Sequence, residues 1–391
     1  MNDTRSIPEK ITLPTDGNAT GRWLGEEELE LLRQVIESGT LNDTRGTMVR
    51  RLEREFAQLY DVPHCVAANS GTAAVHTAIA ALDLPRGSSV VTTPITDMGA
   101  ITPILYEGLT PVFADVDPET GNVTAETIGA ALTPETRAVI VTHLFGRPCE
   151  MGPIVGLLQE RGIPLVEDCA QAYLAEWGGR RAGTFGDIAA FSMQQGKHMT
   201  CGEGGMVITG DDGLADRARL FVNKSWPYGK PNPDHMFPAL NYRLSELQGA
   251  VAVAQLQKLD RNVRTRQGTA AQLTEALSDV PGLTLPRPPA EGTHVYWRYC
   301  LGLDPEVAGD VAEVGGRLQG RGVACAPRYI QKPAFECKVL RDALPAAPDP
   351  ERFAGTYRML RRALVLPWNE AYGAEQVAQI DREIRRALAG S

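Results

Sequence analysis

The sequence predicts an α/β fold: a mostly parallel sheet of seven strands, joined to a smaller C-terminal α+β domain. Three observations carry this expectation. Between residues 65 and 209, short apolar runs alternate with helical stretches, as a parallel sheet with crossover helices demands. The chain has 391 residues, 43% of them hydrophobic and 22% charged, enough for a core split into more than one domain. One long stretch, 244–267, then carries Leu247, Val251, Ala254, Leu256 and Leu259 at helical spacing and reads as a connecting helix.

The strand candidates in order are 65–68, 89–92, 111–114, 138–142, 164–166, 188–192 and 206–209. Each is a short, mainly apolar run of strand length. After the first, Asn69-Ser70-Gly71-Thr72 leads into an Ala-rich apolar helix. The segment NKSWPYGKPNPDHMFPAL that follows Val222 is too rich in proline and glycine for regular structure and long enough to be a working loop. Its Lys224, Trp226, Tyr228 and Lys230 are candidate substrate contacts, set against an equally weighted reading as a plain surface excursion. Beyond the long helix, LPRPPAEGTHVYWRYCLGL gives a Pro-rich linker and a strand, followed by helices near 311–321 and 375–388. The expected divisions are an N-terminal arm over 1–24, a large domain over 25–265 and a small domain over 266–391.

A net charge of −9, with no Lys/Arg cluster, argues against a nucleic-acid partner. The polar N-terminal segment lacks the apolar core of a signal peptide, and no segment approaches the roughly 20 apolar residues of a membrane span, so a cytoplasmic protein with no membrane partner is expected. Seven scattered cysteines without a Cys-x-x-Cys pair fit neither a disulfide framework nor a zinc site, and the six histidines show no metal spacing. No metal is expected. Cys169 and Cys201 flank the motifs described next and read as neutral buried thiols.

Three motifs carry chemistry. In AFSMQQGKHMTCGEGG, Lys197 lies just past an apolar strand and before a Gly-rich turn. Partial desolvation there lowers a lysine's proton affinity and makes it a nucleophile towards carbonyl carbon, as a pyridoxal phosphate Schiff base requires. In IPLVEDCAQA, Asp168 ends a strand candidate, where open α/β sheets bind ligands. A carboxylate against the cofactor's pyridine nitrogen keeps it protonated: at ~3 Å and an effective dielectric near 20 the attraction is about 5 kcal/mol before desolvation. The protonated ring is the electron sink that makes a substrate Cα–H acidic. Finally, Ser70-Gly71-Thr72 before a helix outlines a phosphate seat, with small residues, a hydroxyl and a helix N-terminus. Each motif alone has a commonplace reading as a solvated loop lysine or a helix cap; their occurrence together in this order sets that reading aside.

With these residues in view, the chain resembles the sugar and aminocyclitol aminotransferases of the DegT/StrS type, within the fold type I (aspartate aminotransferase-like) pyridoxal phosphate enzymes. The likeness runs from WLGEEELELLRQVIESGTLN through NSGTAAVH, PVFADVDPETGNV, HLFGRP, VEDCAQA, QQGKHMTCGEGG and NYRLSELQGAVAVAQLQKLD to LPWNEAY, with the EDCAQA and QQGK…GEGG pair the most specific part. It implies Lys197 as Schiff-base residue and proton shuttle, and Asp168 paired with the pyridinium. Gln171 would lie against the ring hydroxyl, and Ser192, Gly71 and Thr72 would hold the phosphate. Asn241 would reach the phosphate of a neighbouring subunit, which implies a homodimer with shared sites. His143 matches the family pattern too, but is expected to pack at a strand end.

One departure stands out. The family usually sets an aromatic residue over the cofactor ring, and here that position falls on Asp97, with Met98 beside it. The dehydratase branch replaces the lysine with histidine, whereas this chain keeps Lys197 and follows it with His198, which argues for amine transfer. The expected reaction moves an amino group from L-glutamate or L-glutamine to a keto sugar or keto cyclitol, in amino-sugar or aminocyclitol biosynthesis. A nucleotide-sugar acceptor would want cations for its diphosphate, and the sequence leaves open whether Lys224, Lys230 or Arg328 serves that purpose. The alternative is a pyridoxal phosphate-dependent dehydratase or cyclase of the aminohydroxybenzoate synthase type, to which Asp97 gives room. A non-catalytic regulator that kept the fold is disfavoured by intact Asp168 and Lys197.

Overall fold

The computed structural model describes residues 10–390; residues 1–9 of the expected N-terminal arm lie outside the described residues, as does residue 391. Seven strands form the main sheet: β1 (His64–Ala68), β2 (Ser89–Thr92), β3 (Thr110–Phe113), β4 (Thr136–Thr142), β5 (Leu165–Asp168), β6 (Ile188–Ser192) and β7 (Gly205–Thr209). All seven sequence-predicted runs are in it, in the spatial order β1-β7-β6-β5-β4-β2-β3. Strands β2 to β6 pair in parallel, while β7 runs antiparallel to both β6 and β1. The runs were legible because helices cover both faces: β2, β5, β6 and β7 are buried at every residue and, apart from polar residues at strand ends and the two carboxylates that close β5, read as apolar runs rather than as alternation. Strand β5 extends past the expected end at Val166, because Glu167 and Asp168 still pair with β4 and β6.

The register brings the three motifs to one edge. Gly205, the first residue of β7, pairs with both Ala68 and Ser192, so the carboxyl ends of β1 and β6 flank it at the same end of the sheet. Asp168, at the carboxyl end of β5, pairs in turn with Ala190. The turns after β1, β5 and β6 therefore open on a common space, as expected of ligand sites in open α/β sheets.

The long helix spans Glu246–Ala276, running beyond the expected end at Gln267. Its later turns keep Arg266, Ala270 and Leu273 buried, and Ala270 and Leu273 join a core with Tyr299, Leu301 and Trp368 from the C-terminal segment. The expected boundary at 265/266 thus falls inside one continuous helix. The C-terminal sheet is antiparallel, in the order β8-β9-β11-β10, where β8 is Leu283–Thr284, β9 Arg298–Leu303, β10 Ala326–Pro327 and β11 Ala363–Pro367. Helices Val311–Gly320 and Ala374–Leu388 lie where the sequence put them and bury apolar faces in the same core. The Pro/Gly-rich segment after Val222 holds no helix or strand, only an isolated bridge between Asn223 and Asn241.

The arm is tied down by charge. Glu370 pairs with Arg266 of the long helix at 2.7 Å and with Arg22 of the arm at 3.2 Å, all three side chains fully buried. Arg266 also donates to Trp368 O at 2.6 Å, so one buried carboxylate joins the arm, the long helix and the C-terminal segment.

Candidate active site

The seat is built by a helix start. Ser70 is extended (φ −162°) and accepts from Ala73 N at 3.0 Å, capping the helix Gly71–Ala81. Among the described residues, the amides of Gly71 and Thr72 have no hydrogen-bond acceptor, which leaves two donors at the positive end of the helix. Ser192 closes the other side: a Cβ on Gly71 would lie 2.6 Å from Ser192 Cβ and 2.7 Å from its Oγ. Only glycine fits there. Ser192 is itself held by Tyr173, whose hydroxyl donates to its carbonyl at 2.9 Å.

Asp168 and Lys197 face each other across this space. Asp168 is buried; its Oδ1 accepts from Ala170 N at 3.0 Å, and among the described residues its Oδ2 has only a long contact, 3.4 Å, from Thr142 Oγ1. Burial raises its proton affinity, opposed by the Ala170 amide and by Lys197. Burial likewise brings the Lys197 ammonium down to about 8, against the attraction of Asp168 and with the repulsion of Arg298. Both groups are pushed towards their neutral forms, as expected of a pair short of partners in a desolvated site. Lys197 Nζ makes no hydrogen bond among the described residues and rests 4.2 Å from the centroid of the Trp297 ring.

A second tier orients the first. Gln171 Oε1 accepts from Phe145 N at 2.7 Å, and its side chain approaches the Tyr329 hydroxyl, opposing the rise in that group's proton affinity that burial causes. Phe145 and Tyr329 both adopt left-handed backbone (φ 57° and 45°) and pack edge to face at 4.8 Å. Non-glycine residues in that region are strained, and such strain gathers at sites where side chains are held for a purpose. Trp297 donates through Nε1 to Gly196 O at 2.8 Å, fixing the loop that carries Lys197.

Glu167 faces away from Asp168, on the opposite side of β5. It accepts from the amides of Gly183 (2.8 Å), Phe185 (2.7 Å) and Gly186 (2.7 Å) and pairs with His143 Nε2 at 3.0 Å. His143 Nδ1 accepts from Cys149 N at 3.0 Å, so Nε2 carries the proton and donates to Glu167. His143, Glu167 and Cys169 are close enough to suggest a metal site, but the carboxylate's four acceptor positions are all taken. The expected packing role of His143 is thus a hydrogen-bonded one, pinning the loop 183–186 under β5. Burial pushes the Cys169 and Cys201 thiols up to about 12, which keeps them neutral.

Other expectations fall differently. Asp97 caps the short turn Met98–Ala100, accepting from Gly99 N at 2.8 Å. A Cβ on Gly99 would lie 2.4 Å from Thr72 Oγ1 and 2.9 Å from Asp97 Oδ1, so this carboxylate sits at the rim of the seat, where it also acts on Asp168 and Lys197. The structure therefore brings Gly71, Thr72, Asp168, Gln171, Ser192 and Lys197 to one space. Asn241 is not among them within the chain: it is exposed, and its Oδ1 accepts from Arg243 N at 3.3 Å. Lys224, Tyr228 and Lys230 are exposed, Trp226 packs against His235 at 4.9 Å, and Arg328 pairs with exposed Asp310 at 3.4 Å. Among the described residues, none of these forms a hydrogen bond or ion pair with the site residues. Trp297, Arg298 and Tyr329 were missed by sequence reasoning because they come from distant segments with no local pattern. Glu167 had a signal, as the first carboxylate of EDCAQA.

Comparison with known proteins agrees with this geometry. Residues 23–385 match the model of the DegT/DnrJ/EryC1/StrS aminotransferase family. The spore coat polysaccharide biosynthesis protein SpsC of Bacillus subtilis is 34% identical over 300 residues, covering 73% of this chain and 75% of that protein. The GDP-perosamine synthase of Caulobacter vibrioides is 33% identical, covering 73% and 76%. Among solved structures, the aminotransferase TlmJ of Streptoalloteichus hindustanus superposes with a TM-score of 0.86 at 31% identity, over 95% of this chain and 98% of that one. A 3-amino-5-hydroxybenzoic acid synthase, at 24% identity and a TM-score of 0.86, shares the fold. From its seat, its Asp168–Lys197 pair and these matches, the chain belongs to the DegT/DnrJ/EryC1/StrS aminotransferase family, with the fold type I architecture of pyridoxal phosphate enzymes.

Proposed function

We propose that this protein transfers an amino group from L-glutamate or L-glutamine to a keto sugar or keto cyclitol, with pyridoxal 5'-phosphate as cofactor. The observation that carries the reading is the placement of an under-bonded buried carboxylate, Asp168, opposite a desolvated lysine, Lys197, beside a helix start with two free amides. These residues fit the cofactor by their chemistry: Asp168 wants a cationic partner, the seat wants an anion and Lys197 wants a carbonyl carbon. When bound there, pyridoxal phosphate supplies an electron sink for the substrate's Cα–H bond.

The chain's own groups do the rest. The amides of Gly71 and Thr72, with Thr72 Oγ1 and Ser192 Oγ, bind the phosphate. Asp168 holds the ring nitrogen protonated, and Gln171, braced by Phe145 N and Tyr329, meets the ring hydroxyl. Lys197, able to lose its proton at about 8, takes a proton from the substrate carbon and returns it. Sugar acceptors are supported by the relatives: GDP-perosamine synthases, and DesI solved with its TDP-sugar product at 28% identity.

The reading includes a homodimer in which Asn241 reaches the partner's phosphate. It is supported by exposed apolar side chains at Leu29, Ile36, Leu41, Tyr106, Met236 and Leu240, which a lone chain leaves against water. The test is spectroscopic and chemical. Loaded protein should show a band at about 410 to 430 nm that borohydride removes, and pyridoxamine phosphate should accumulate on mixing with glutamate. Lys197→Ala should lose both, and Asp168→Asn most of its turnover; pyridoxamine formation at the normal rate in Lys197→Ala would end the assignment.

A further inference from the structure

Asp97 stands where related enzymes set an aromatic ring, and the fold around it decides what takes that place. Met98 is not the substitute: it packs into a small core with Ile101, Phe113 and Phe335. Asp97 is left exposed at the rim of the seat. A built turn fixes its backbone. Asp97 O accepts from Ala100 N at 3.0 Å, Met98 O from Ile101 N at 3.0 Å, and Pro94 O from Ala334 N at 2.9 Å. Its Oδ1 is engaged by Gly99 N, whereas Oδ2 makes no hydrogen bond or ion pair among the described residues.

The charges around that oxygen leave it without a cation. The field of Asp97 reaches Asp168, Lys197 and Tyr329, and Glu203 adds a further carboxylate near the lysine. In the reading above, Asp168 is taken by the ring nitrogen and Lys197 by a carbonyl carbon. Arg298 Nη1 is paired with Asp16 Oδ2 at 2.8 Å, Arg328 with Asp310, and Lys224 and Lys230 are exposed on another loop. A phosphate held at Thr72 adds one more anion, because Thr72 Oγ1 and Asp97 Oδ1 both crowd Gly99. While the site is open, water solvates Oδ2. Once cofactor and acceptor fill the site that water leaves, and a carboxylate among anions needs a cation to offset its desolvation. An aromatic ring in the same place makes no such demand.

We infer that Asp97 determines acceptor specificity: its free oxygen binds an ammonium group that the acceptor carries on the same ring as its reacting ketone. The acceptor is then an amino-substituted keto sugar or keto cyclitol, and the enzyme installs a second nitrogen on a ring that already bears one. A nucleotide-linked sugar is disfavoured, since its diphosphate meets a carboxylate at this rim. The inference rests on the amine-transfer reading above and names its acceptor class.

The test uses full-length protein loaded with pyridoxal phosphate, titrated calorimetrically with a 1,3-diaminocyclitol and with its monoamino counterpart, in which one amine is a hydroxyl. Wild type should bind the diamine on the order of tenfold more tightly, the gain from a charged hydrogen bond over a neutral one. Asp97→Asn keeps a cap for the turn and loses the charge, so it should bind the two amines equally. Comparing two ligands within each protein cancels any effect of the substitution on the lysine or the seat. No preference in wild type, an unchanged preference in Asp97→Asn, no binding of either amine, or GDP bound more tightly than the diamine overturns the inference. The two readings fail separately: a diamine preference that needs Asp97, in protein that forms no pyridoxamine phosphate from glutamate, loses the function, whereas glutamate turnover without that preference loses the acceptor class.

Discussion

Replacing Lys197 with methionine should stabilise the cofactor-free protein near neutral pH. The side chain keeps its length and loses the charge. A lysine that ordinarily gives up its proton near 10.5, and here does so at about 8, destabilises the fold by on the order of 3 kcal/mol while charged. The sign follows from proton counting. Between about 8 and 10.5 the unfolded chain holds this proton and the folded chain does not, so the wild-type contribution improves as pH rises through that window and is worst below it. Urea unfolding of wild type and Lys197→Met, both freed of cofactor, at pH 7 and at pH 10.5 measures the difference. The variant should be the more stable at pH 7 by on the order of 3 kcal/mol, and the gap should close by pH 10.5. Taking the difference between the two proteins cancels the buried tyrosines and cysteines that titrate in the same range. A gap that stays constant with pH, or a variant less stable at pH 7, would refute the claim that Lys197 is held against its charge.

Two further outcomes follow from packing. Gly71→Ala puts a methyl 2.6 Å from Ser192 Cβ, so the seat must open; pyridoxal phosphate affinity, read by equilibrium dialysis, should fall at least about tenfold, as a lost charged contact does, and wild-type affinity would show that the seat lies elsewhere. Glu370→Gln leaves Arg22 and Arg266 buried without their shared anion; chemical denaturation should show a loss of about 3 kcal/mol or more, and a loss under about 1 kcal/mol would mean that the arm is not held by this carboxylate.

Helix and strand assignments were legible where burial is two-sided and the pattern local. Strands β4 to β6 each carry an apolar run, over 138–141, 165–166 and 188–191, because helices cover them, and the cap at Ser70 declares itself by its turn residues. Asp168 and Lys197 could be singled out because each stands at the end of such a strand, so its place along one edge follows from chain direction alone. Glu167 was passed over since alternation along a strand sends it to the opposite face, and nothing local told that its face would meet three free amides. The end of the long helix at Ala276 depended on Ala270 and Leu273 finding a C-terminal core to bury against.

The chain by itself determined the seven-stranded sheet, the helix start at Ser70 to Thr72, and the lysine and aspartate proposed to serve the cofactor. Tertiary structure alone decided what surrounds Lys197: Trp297 and Arg298 from the C-terminal segment, and Asp16 from the arm, converge on its loop from opposite ends of the sequence. The physical reason is range. Periodicity and caps are set by neighbours a few residues away, whereas the desolvation that tunes a buried amine, and the ion pair beside its loop, exist only once distant segments have closed over the same space.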